Sequence, residues 1–339
     1  MMDTVAARPR FGVQGRLGLA ALTYTAVAAS LSWHAFVALL GKYMITQFFA
    51  LPLMLLFGLS VASVIARPSA PMSYLWDLIR KRGIGAAWVI GIFCAAIAAF
   101  STFKYLIPAW VPFFADRTLA DLDEVLHLGQ PWRHLHAITP SWISPALGLL
   151  YGPIWFAQFF GFVLFAAFLP NTPIRVRYLL SFAATLLLLG TVLRALGSSA
   201  GPIFYDRMYH GDRFADLLAA LASVPLGTVT LSTSDYLYAS YIDDSAVFGV
   251  GISAMPSIHV AIAFLNALFL SKLNKRLGIV GWMYAAAILY GSVYFGWHYA
   301  LDGYVSIIGV LLIWRHAGRN NIPATINCRA GTPLPPEAL

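Results

Sequence analysis

Residues 249–265 read GVGISAMPSIHVAIAFL, and this stretch changes character at Pro256. Before Pro256 the residues are small and Gly-rich, without a regular period, whereas apolar residues follow it almost without a break. A long apolar run of this kind predicts a membrane helix that begins near Pro256. Ser257 and His259 therefore lie at the rim of a membrane helix, where polar side chains are costly and are candidates for function by default.

The composition of the whole chain predicts a membrane protein. Of its 339 residues, 60% are hydrophobic and only 11% are charged, and the mean hydropathy is +0.74. A soluble protein carries roughly 25% charged residues. We expect an all-α fold, a polytopic membrane helical bundle with about eight transmembrane helices. The expected spans are 17–41, 44–66, 84–107, 142–170, 178–201, 256–271, 278–295 and 298–314.

Five basic regions fall on one side of this eight-span arrangement, as the positive-inside rule requires of cytoplasmic loops. They are the N-terminus (Arg8, Arg10, Arg16), the 67–83 loop (Arg67, Arg80, Lys81, Arg82), the connection before the fifth span (Arg175, Arg177), the one after the sixth (Lys272, Lys275, Arg276) and the tail (Arg315, Arg319, Arg329). The other side receives two long stretches rich in Asp and Glu, 108–141 and 202–255. We therefore expect both termini in the cytoplasm of a protein integral to the membrane, in particular the bacterial inner (cell) membrane. Basic loops beside anionic lipid account for the net charge of +8, so no nucleic-acid partner is expected.

A second candidate pair lies in YGSVYFGWHYALDGY, residues 290–304. His298 and Asp302 are four residues apart, so a helix places both side chains on one face. The carboxylate can then accept a hydrogen bond from one imidazole nitrogen, which fixes the tautomer and leaves the other nitrogen as a nucleophile or base. This spacing alone is equally typical of an ion pair at the rim of a helix.

The helix that follows Pro256 predicts an anion site in its first turn. Proline suits the first helical turn, and the free N–H groups of that turn bind anions. The Ser257 hydroxyl adds a donor, and His259 in the same turn can deliver a proton to the bound group. Arg194, near the outer end of the fifth span, adds a cation. All these groups fall on the same predicted membrane face as His298, which favours function over coincidence.

These residues resemble the type 2 phosphatidic acid phosphatase superfamily of membrane enzymes, whose motifs read Lys-x6-Arg-Pro, Pro-Ser-Gly-His and Ser-Arg-x5-His-x3-Asp. The second motif is similar to residues 256–259, PSIH, and the third to residues 291–302, which include Ser292, His298 and Asp302. A degraded first motif runs from Arg194 to Pro202. The resemblance covers roughly residues 190–310 in order, spacing and predicted membrane side.

The resemblance implies a role for each residue. His298 would attack phosphorus and form a phosphohistidine, and Asp302 would orient it and stabilise its positive charge. His259 would protonate the leaving alkoxide and then deprotonate the incoming water or alcohol. The resemblance implies neither a metal nor a cofactor. The expected substrate-binding residues are Ser257, Arg194, Ile258, Ser292, Arg207 and Arg213.

The chain departs from the family motifs at several positions, and at one of them Arg194 replaces the lysine of the first motif and keeps a cation. Ile258 replaces the glycine of the second motif, Gly201 the arginine of the first, and Ser292 the arginine of the third. A phosphomonoester brings close to two negative charges and a phosphodiester brings one, so a site that lacks two guanidiniums favours a diester. The pattern resembles the branch of inositol phosphorylceramide synthases and sphingomyelin synthases, an inositolphosphotransferase-like branch with a compact His-Tyr-x-x-Asp motif.

The function implied is a lipid phosphotransferase that moves a phospho-headgroup between lipids at the extracytoplasmic face. Its partners would be a membrane lipid phosphate and a lipid or alcohol acceptor. The alternative is a phosphatase that hydrolyses phosphatidic acid-type or polyprenyl (pyro)phosphates, which requires other cations to fold over the site; Arg207, Arg213 and Arg133 are candidates. A lipid transporter is a lesser alternative, because the candidate residues cluster at one rim and no repeat is visible. A catalytically inactive lipid-binding relative is disfavoured by the intact histidines.

Three regions follow from the spans and motifs. Residues 1–83 hold the N-terminal cytoplasmic segment and two accessory spans, residues 84–315 a six-helix catalytic core, and residues 316–339 a disordered cytoplasmic tail. A cleaved signal peptide is the alternative for the first span. Cys94 and Cys328 lie too far apart in this arrangement for a disulfide, and no Cys/His cluster has zinc spacing.

Two features outside the motifs remain. Lys104, in the third span, is interpreted as a side chain that snorkels to the membrane surface. The stretch 108–141 pairs aromatic residues with an amphipathic segment near 118–128 and is interpreted as an aromatic-belt loop, with a substrate gate as the alternative. Its histidines, His127, His134 and His136, are expected to be solvated rather than metal-bound.

Overall fold

In the computed structural model, which describes residues 13–246, 249 and 251–319, every regular element is a helix. The predicted all-α fold is therefore confirmed for this part of the chain. The helices are α1 (Val13–Leu31), α2 (Trp33–Ala66), α3 (Pro71–Trp110), α4 (Asp116–His127), α5 (Pro131–Ile138), α6 (Ser141–Phe168), α7 (Pro173–Leu196), α8 (Pro202–Tyr209), α9 (Ala215–Ser223), α10 (Gly227–Ile242), α11 (Ile258–Leu273), α12 (Lys275–Tyr294) and α13 (Ala300–Arg319).

Six helices in the described residues are long and apolar enough to cross a membrane, namely α2, α3, α6, α7, α12 and α13. Two shorter apolar helices, Gly18–Leu31 within α1 and α11, correspond to the first and sixth predicted spans. The first boundary differs from the prediction, because the chain breaks at Ser32 rather than between residues 41 and 44. The Ser32 hydroxyl accepts a hydrogen bond from Ala35 N (3.3 Å) and so caps the start of α2.

The two N-terminal helices pack against α3, which has 40 residues. The predicted boundary between accessory spans and core, at residue 84, lies inside this one continuous helix. Large apolar side chains of α2 such as Phe48 and Phe57 are more than two-thirds exposed, as expected of side chains that face lipid. The buried contact among the three helices consists of Ala28, Phe36, Ala98, Ala99, Phe103 and Ile107.

The hairpin of α11 and α12 brings two backbones close together at glycines. A Cβ atom placed on Gly281 would lie 2.9 Å from Ala267 Cα, and one on Gly278 would lie 2.7 Å from Ser271 Oγ. In the turn, the Asn274 side chain accepts a hydrogen bond from Arg276 N (2.8 Å) and caps α12. Small residues allow membrane helices to approach closely, so the close packing of α11 against α12 depends on glycine at positions 278 and 281.

The two long polar stretches cover one end of the bundle with α4, α5, α8, α9 and α10. Asp123 of α4 accepts a hydrogen bond from Ala300 N (2.9 Å), and the His136 ring of α5 lies 2.9 Å from Tyr294 O. These contacts place the covering helices over the turn between α12 and α13. Helix α13 continues to Arg319, and the remainder of the predicted tail, 320–339 with Cys328, lies outside the described residues, as do Arg8 and Arg10.

Replacing Gly281 with Leu tests the close packing of the α11–α12 hairpin. The added side chain would force the two backbones apart, so we expect a loss of roughly 2 kcal/mol or more in the free energy of unfolding. The measurement is the melting temperature of the purified protein in detergent. The matched control is Gly91→Leu in α3, where no atom lies within 4 Å of an added Cβ. Equal melting temperatures for the two variants would contradict the expectation.

Candidate active site

The loop between α12 and α13 carries His298 into the bundle. Gly296 allows the turn, because it has φ +69° and a Cβ atom there would lie 2.4 Å from Leu217 Cδ2. The backbone N–H of His298 donates to Ser292 O (3.1 Å), which ties the loop to the end of α12. The His298 side chain is buried, with the whole residue only 6% exposed.

A backbone carbonyl sets the tautomer of His298. Its Nδ1 lies 2.8 Å from Ala254 O and 3.4 Å from Asp302 Oδ2. Because a carbonyl oxygen only accepts hydrogen bonds, Nδ1 carries the proton and Nε2 keeps its lone pair. Asp302 is fully buried, and its Oδ2 also accepts from Tyr299 N (3.0 Å) at the start of α13. This carboxylate therefore both caps a helix and faces the histidine.

The second motif begins α11 and is joined to the third by buried hydrogen bonds. Ser257 is the N-cap residue, and its hydroxyl accepts from Val260 N (3.4 Å). Its own N–H donates to Asp302 O (3.3 Å). The Ser306 hydroxyl lies within donating distance of Ser257 O (2.9 Å) and Asp302 O (2.7 Å). The starts of α11 and α13 are thereby held together.

His259 lies between two aromatic side chains of α6. The Tyr151 ring stacks on it with centroids 4.6 Å apart and planes 10° apart, and the nearer Trp155 centroid is at 4.0 Å. Trp155 Nε1 also donates to His259 O (3.0 Å). Residues Leu150–Ile154 form a π-helical turn, a local change in helical pitch that is frequent at functional sites. The two rings restrict the imidazole to one orientation.

The ring of His259, at the start of α11, lies close to the ring of His298, in the loop after α12. Their ring centroids are 6.2 Å apart and their planes are inclined by 56°. Reacting atoms approach to about 3–3.5 Å before a bond forms, so a phosphorus atom midway between the rings is within reach of both. Residues 39 positions apart in sequence therefore have their side chains next to the same small volume.

The isoleucine in the second motif is accommodated by a glycine on α7. Ile258 is buried, and its Cδ1 would lie 3.4 Å from a Cβ placed on Gly190. The same Cβ would lie 2.6 Å from Phe100 Cε2, so any larger residue at position 190 would displace neighbouring rings. The Ile258 side chain thus packs into the core. The backbone N–H of Ile258 lies in the first turn of α11.

Arg194 lies at the end of a π-helical segment of α7, Thr185–Leu193. It is 3% exposed, and its guanidinium carbon lies 5.2 Å from the centre of the Phe100 ring. Its Nε and Nη1 are buried and have no hydrogen-bond partner within the described part of the chain. A buried guanidinium with unused donors is suited to an anionic ligand.

The degraded first motif forms the centre of a hydrogen-bond network. The carboxylate of Asp116 accepts from Ala200 N and Gly201 N, both at 2.8 Å, and from the Tyr299 hydroxyl at 3.0 Å. Ser199 binds the second motif, because its carbonyl accepts from Ala254 N (2.8 Å). One buried carboxylate therefore connects the first motif with the residue that follows His298.

Asp123, seven residues further along α4, binds the start of α13. Its carboxylate oxygens accept from Ala300 N (2.9 Å) and Leu301 N (3.1 Å). Burial raises the pKa of Asp123 and of Asp116 above the usual value, and the donated backbone hydrogen bonds oppose that change. Both side chains act as positioning groups for the third motif, a role that the acidic composition of 108–141 did not reveal.

The arginines expected to fold over the site are held elsewhere. Arg207 pairs with Asp235, Arg213 with Asp121 (2.7 Å) and Glu124 (3.0 Å), and Arg133 with Asp216 (2.6 Å). Ser292 is fully buried, and its hydroxyl donates to Leu289 O (2.7 Å) within α12. The guanidiniums of these loops therefore serve ion pairs between the covering helices, and none of them contacts His298 or His259.

Lys104, interpreted from the sequence as a snorkelling side chain, binds a loop carbonyl. Its Nζ donates to Gly249 O (3.1 Å), in the loop that precedes the second motif. It is close enough to Arg194 and His259 to interact electrostatically with both. The sequence marks Lys104 as a candidate functional residue, because it is the one charged residue among residues 84–107.

The loop histidines bind protein groups. His127 Nε2 lies 2.9 Å from the Tyr304 hydroxyl, His134 Nε2 lies 3.1 Å from His127 O, and His136 stacks on Tyr294 with ring centroids 4.0 Å apart. Burial lowers the pKa of His136. No group of three His, Cys, Asp or Glu side chains in the described ranges could hold a metal ion.

Two neighbouring imidazoles, a buried carboxylate and a guanidinium with unused donors lie at one end of the bundle, a set of groups able to bind an anion and to exchange protons with it. A family model for the PAP2 superfamily matches residues 117–316, more than half of the chain. The chain belongs to this superfamily, and membership supports phosphatase or phosphotransferase activity on membrane lipid phosphates. Neither a search of curated proteins nor a search of solved structures finds a match.

Restoring the arginine of the first family motif tests whether Gly201 is a structural requirement. Gly201 has φ +98°, and a Cβ atom there would lie 2.6 Å from Trp297 O, next to His298. We therefore expect Gly201→Arg to lower both the melting temperature and the turnover of lipid phosphate, although it returns a cation to the motif. The control, Arg194→Lys, restores the lysine of the same motif and keeps the charge. Higher activity in Gly201→Arg would contradict this account.

Proposed function

We propose that this protein is a lipid phosphotransferase that moves a phospho-headgroup between lipids through a phosphohistidine on His298. The observation that carries the proposal is the pair of imidazoles with ring centroids 6.2 Å apart, one of them fixed as a nucleophile by Ala254 O. A nucleophile and a proton donor on opposite sides of one phosphorus atom are what an in-line displacement needs. Family membership supports the class of reaction.

In the first half-reaction, the lone pair of His298 Nε2 attacks the phosphorus atom of the donor lipid. The bond between phosphorus and the leaving oxygen breaks, and protonated His259 gives its proton to that oxygen, so a neutral lipid alcohol departs. The headgroup phosphate remains bonded to Nε2. The Asp302 carboxylate, 3.4 Å from Nδ1, stabilises the positive charge that the attacking ring acquires.

In the second half-reaction, the hydroxyl of an acceptor lipid attacks the same phosphorus atom. His259, now neutral, takes the hydroxyl proton, and the N–P bond breaks so that its electron pair returns to Nε2. The product is the acceptor lipid with the headgroup attached, and both histidines regain their starting states. The protons and charges balance with these side chains alone.

Burial of the reacting groups favours transfer over hydrolysis. His298 is 6% exposed, Asp302 and Ser257 are fully buried, and aromatic rings cover His259. A site of this kind restricts water, whereas a lipid alcohol can enter from the bilayer. The absence of an arginine at positions 201 and 292 further supports a phosphodiester donor, of the kind used by the inositol phosphorylceramide and sphingomyelin synthase branch.

Hydrolysis of a phosphomonoester is the second candidate function. The observation that favours it is Lys104, which adds a second cation near Arg194 and His259. A phosphomonoester dianion is better matched by two cations than by one. The same histidines would then act on a water molecule in place of the acceptor alcohol.

We assign the site to the extracytoplasmic side of the membrane, with both termini in the cytoplasm. At the opposite end of the bundle, arginines bind carbonyl oxygens at the ends of helices: Arg82 donates to Phe168 O (2.8 Å), Arg175 to Ala166 O (2.8 Å) and Arg177 to Trp314 O (2.8 Å). This basic end supports a cytoplasmic location under the positive-inside rule.

A covalent trapping experiment tests the nucleophile. Incubation with lipid labelled on its phosphorus, followed by a quench in base, should yield an acid-labile protein label, because a phosphohistidine is stable in base and hydrolyses in acid. We expect His298→Ala to abolish the label and the turnover. His134→Ala, which removes an exposed histidine near the covering helices, should keep both. An undiminished label in His298→Ala would refute the assignment.

The choice between transfer and hydrolysis is tested by adding acceptors. With a labelled phosphodiester lipid as donor, we expect ceramide- or diacylglycerol-type alcohols in the vesicle to raise turnover and to appear as labelled product lipid. The ratio of product lipid to released water-soluble phosphate is the measurement. Rapid release of inorganic phosphate from phosphatidic acid, with no gain from added alcohols, would instead support the phosphatase.

A further inference from the structure

Two cations approach the reaction centre without a carboxylate partner. No Asp or Glu oxygen lies within 4.0 Å of the Lys104 ammonium or the Arg194 guanidinium within the described ranges. Arg133, Arg207 and Arg213 of the covering stretches, in contrast, each pair with a carboxylate, as Arg213 does with Asp121 and Glu124. The contrast separates cations that hold the fold together from cations left available at the site.

Lys104 is brought to this position by the backbone packing of α3. A Cβ atom on Gly251 would lie 2.5 Å from Lys104 O and 2.8 Å from Lys104 Cγ, so the loop before the second motif lies directly on this residue. One N–H of the ammonium donates to Gly249 O (3.1 Å). An ammonium has three N–H donors, so two remain for a ligand.

Arg194 approaches from α7 and is held by aromatic side chains of other helices. Phe100 lies against its guanidinium, with 5.2 Å between the guanidinium carbon and the ring centre. Tyr24 of α1 is hydrogen-bonded to Thr191 (2.7 Å) and lies within electrostatic range of Arg194. The unpartnered Nε and Nη1 are therefore supported by ring and helix contacts rather than by a counter-ion.

Two like charges, of which Arg194 is buried and Lys104 half-buried, destabilise the protein unless an anion joins them. Removing a charge from water costs several kcal/mol even after relaxation, and mutual repulsion between neighbouring cations adds to that cost. Lys104 and Arg194 also act electrostatically on His259. An anion between the cations and the imidazoles would offset this repulsion, and the phosphate of the proposed substrate occupies that place.

We propose that Lys104 is a phosphate-binding residue of this enzyme, and that it supplies from α3 the cation absent from position 201. This proposal rests on the proposed function and deepens it. A phosphodiester carries one negative charge in the ground state, which Arg194 matches. When neutral Nε2 attacks, the oxygens on phosphorus gain a second negative charge, and Lys104 matches that charge. Its contribution therefore belongs mainly to the transition state.

A structural alternative is that Lys104 only tethers the loop at residues 242–257. Lys42 of α2 provides a matched control, because its Nζ also donates to a carbonyl of this loop, that of Ala246. If tethering were the whole role, loss of either lysine would have the same effect. Methionine retains the apolar stem and removes the charge, so Lys104→Met and Lys42→Met form the comparison.

The experiment measures kcat, KM and melting temperature for the full chain in detergent–lipid micelles. For Lys104→Met we expect kcat to fall about 100-fold with little change in KM, the effect typical of a lost transition-state donor. We also expect its melting temperature to rise, because a half-buried charge that repels Arg194 has been removed. Lys104→Arg should keep kcat within about tenfold, and Lys42→Met should keep kcat unchanged. An unaltered kcat in Lys104→Met, or parallel losses in both methionine variants, would overturn the proposal.

A second measurement separates this proposal from the function on which it rests. Orthovanadate adopts the trigonal-bipyramidal geometry of phosphorus under attack, and we expect it to raise the melting temperature of the wild type but not of Lys104→Met. If the wild type neither turns over lipid nor forms a protein label, the proposed function has failed while the orthovanadate shift still tests Lys104. An equal shift in both proteins would rule out phosphate binding by Lys104.

Discussion

A single buried carboxylate, that of Asp116, is the interaction on which the site depends. It accepts hydrogen bonds from Ala200 N, Gly201 N and the Tyr299 hydroxyl, so the first motif and the His298 loop share one anchor. A carboxylate without water requires such donors, because an unpaired buried charge would be strongly destabilising. The backbone at Gly201 has a positive φ (+98°), which glycine adopts without strain. This conformation disfavours the arginine that the family motif has at position 201.

The departures from the family motifs are accommodated by residues elsewhere in the bundle. Ile258 replaces a glycine in the second motif, and Gly190 on α7 leaves the space that its side chain needs. Gly201 replaces an arginine, and Lys104 lies on a helix that precedes the matched residues 117–316. Because a membrane interior tolerates neither voids nor unpaired charge, a change in one helix must be matched by its neighbours.

The physical requirements of a single helix in lipid account for the parts of the prediction that were confirmed. The apolar runs marked the membrane helices because backbone groups in lipid must bond within their own segment, which makes hydropathy a reliable guide. His259, His298 and Asp302 were recognised because they are polar residues at the rims of those helices. The structure then brings the two imidazoles to 6.2 Å, a distance that no spacing within either motif could indicate. The ion-pair partners of Arg207 and Arg213 could not be predicted from the sequence either, because a surface arginine binds whichever carboxylate the fold brings nearest.

By itself, the sequence determined an all-helical membrane bundle, the order of its apolar segments and the titratable residues at their ends. These properties are local: they follow from hydrophobicity, helical period and the chemistry of single side chains. Only the tertiary structure decided which cations stay unpaired, which carboxylates hold the loops, and that Lys104 lies near His259. Those outcomes depend on contacts between helices distant in the chain, where the need to satisfy every buried polar group selects the partners.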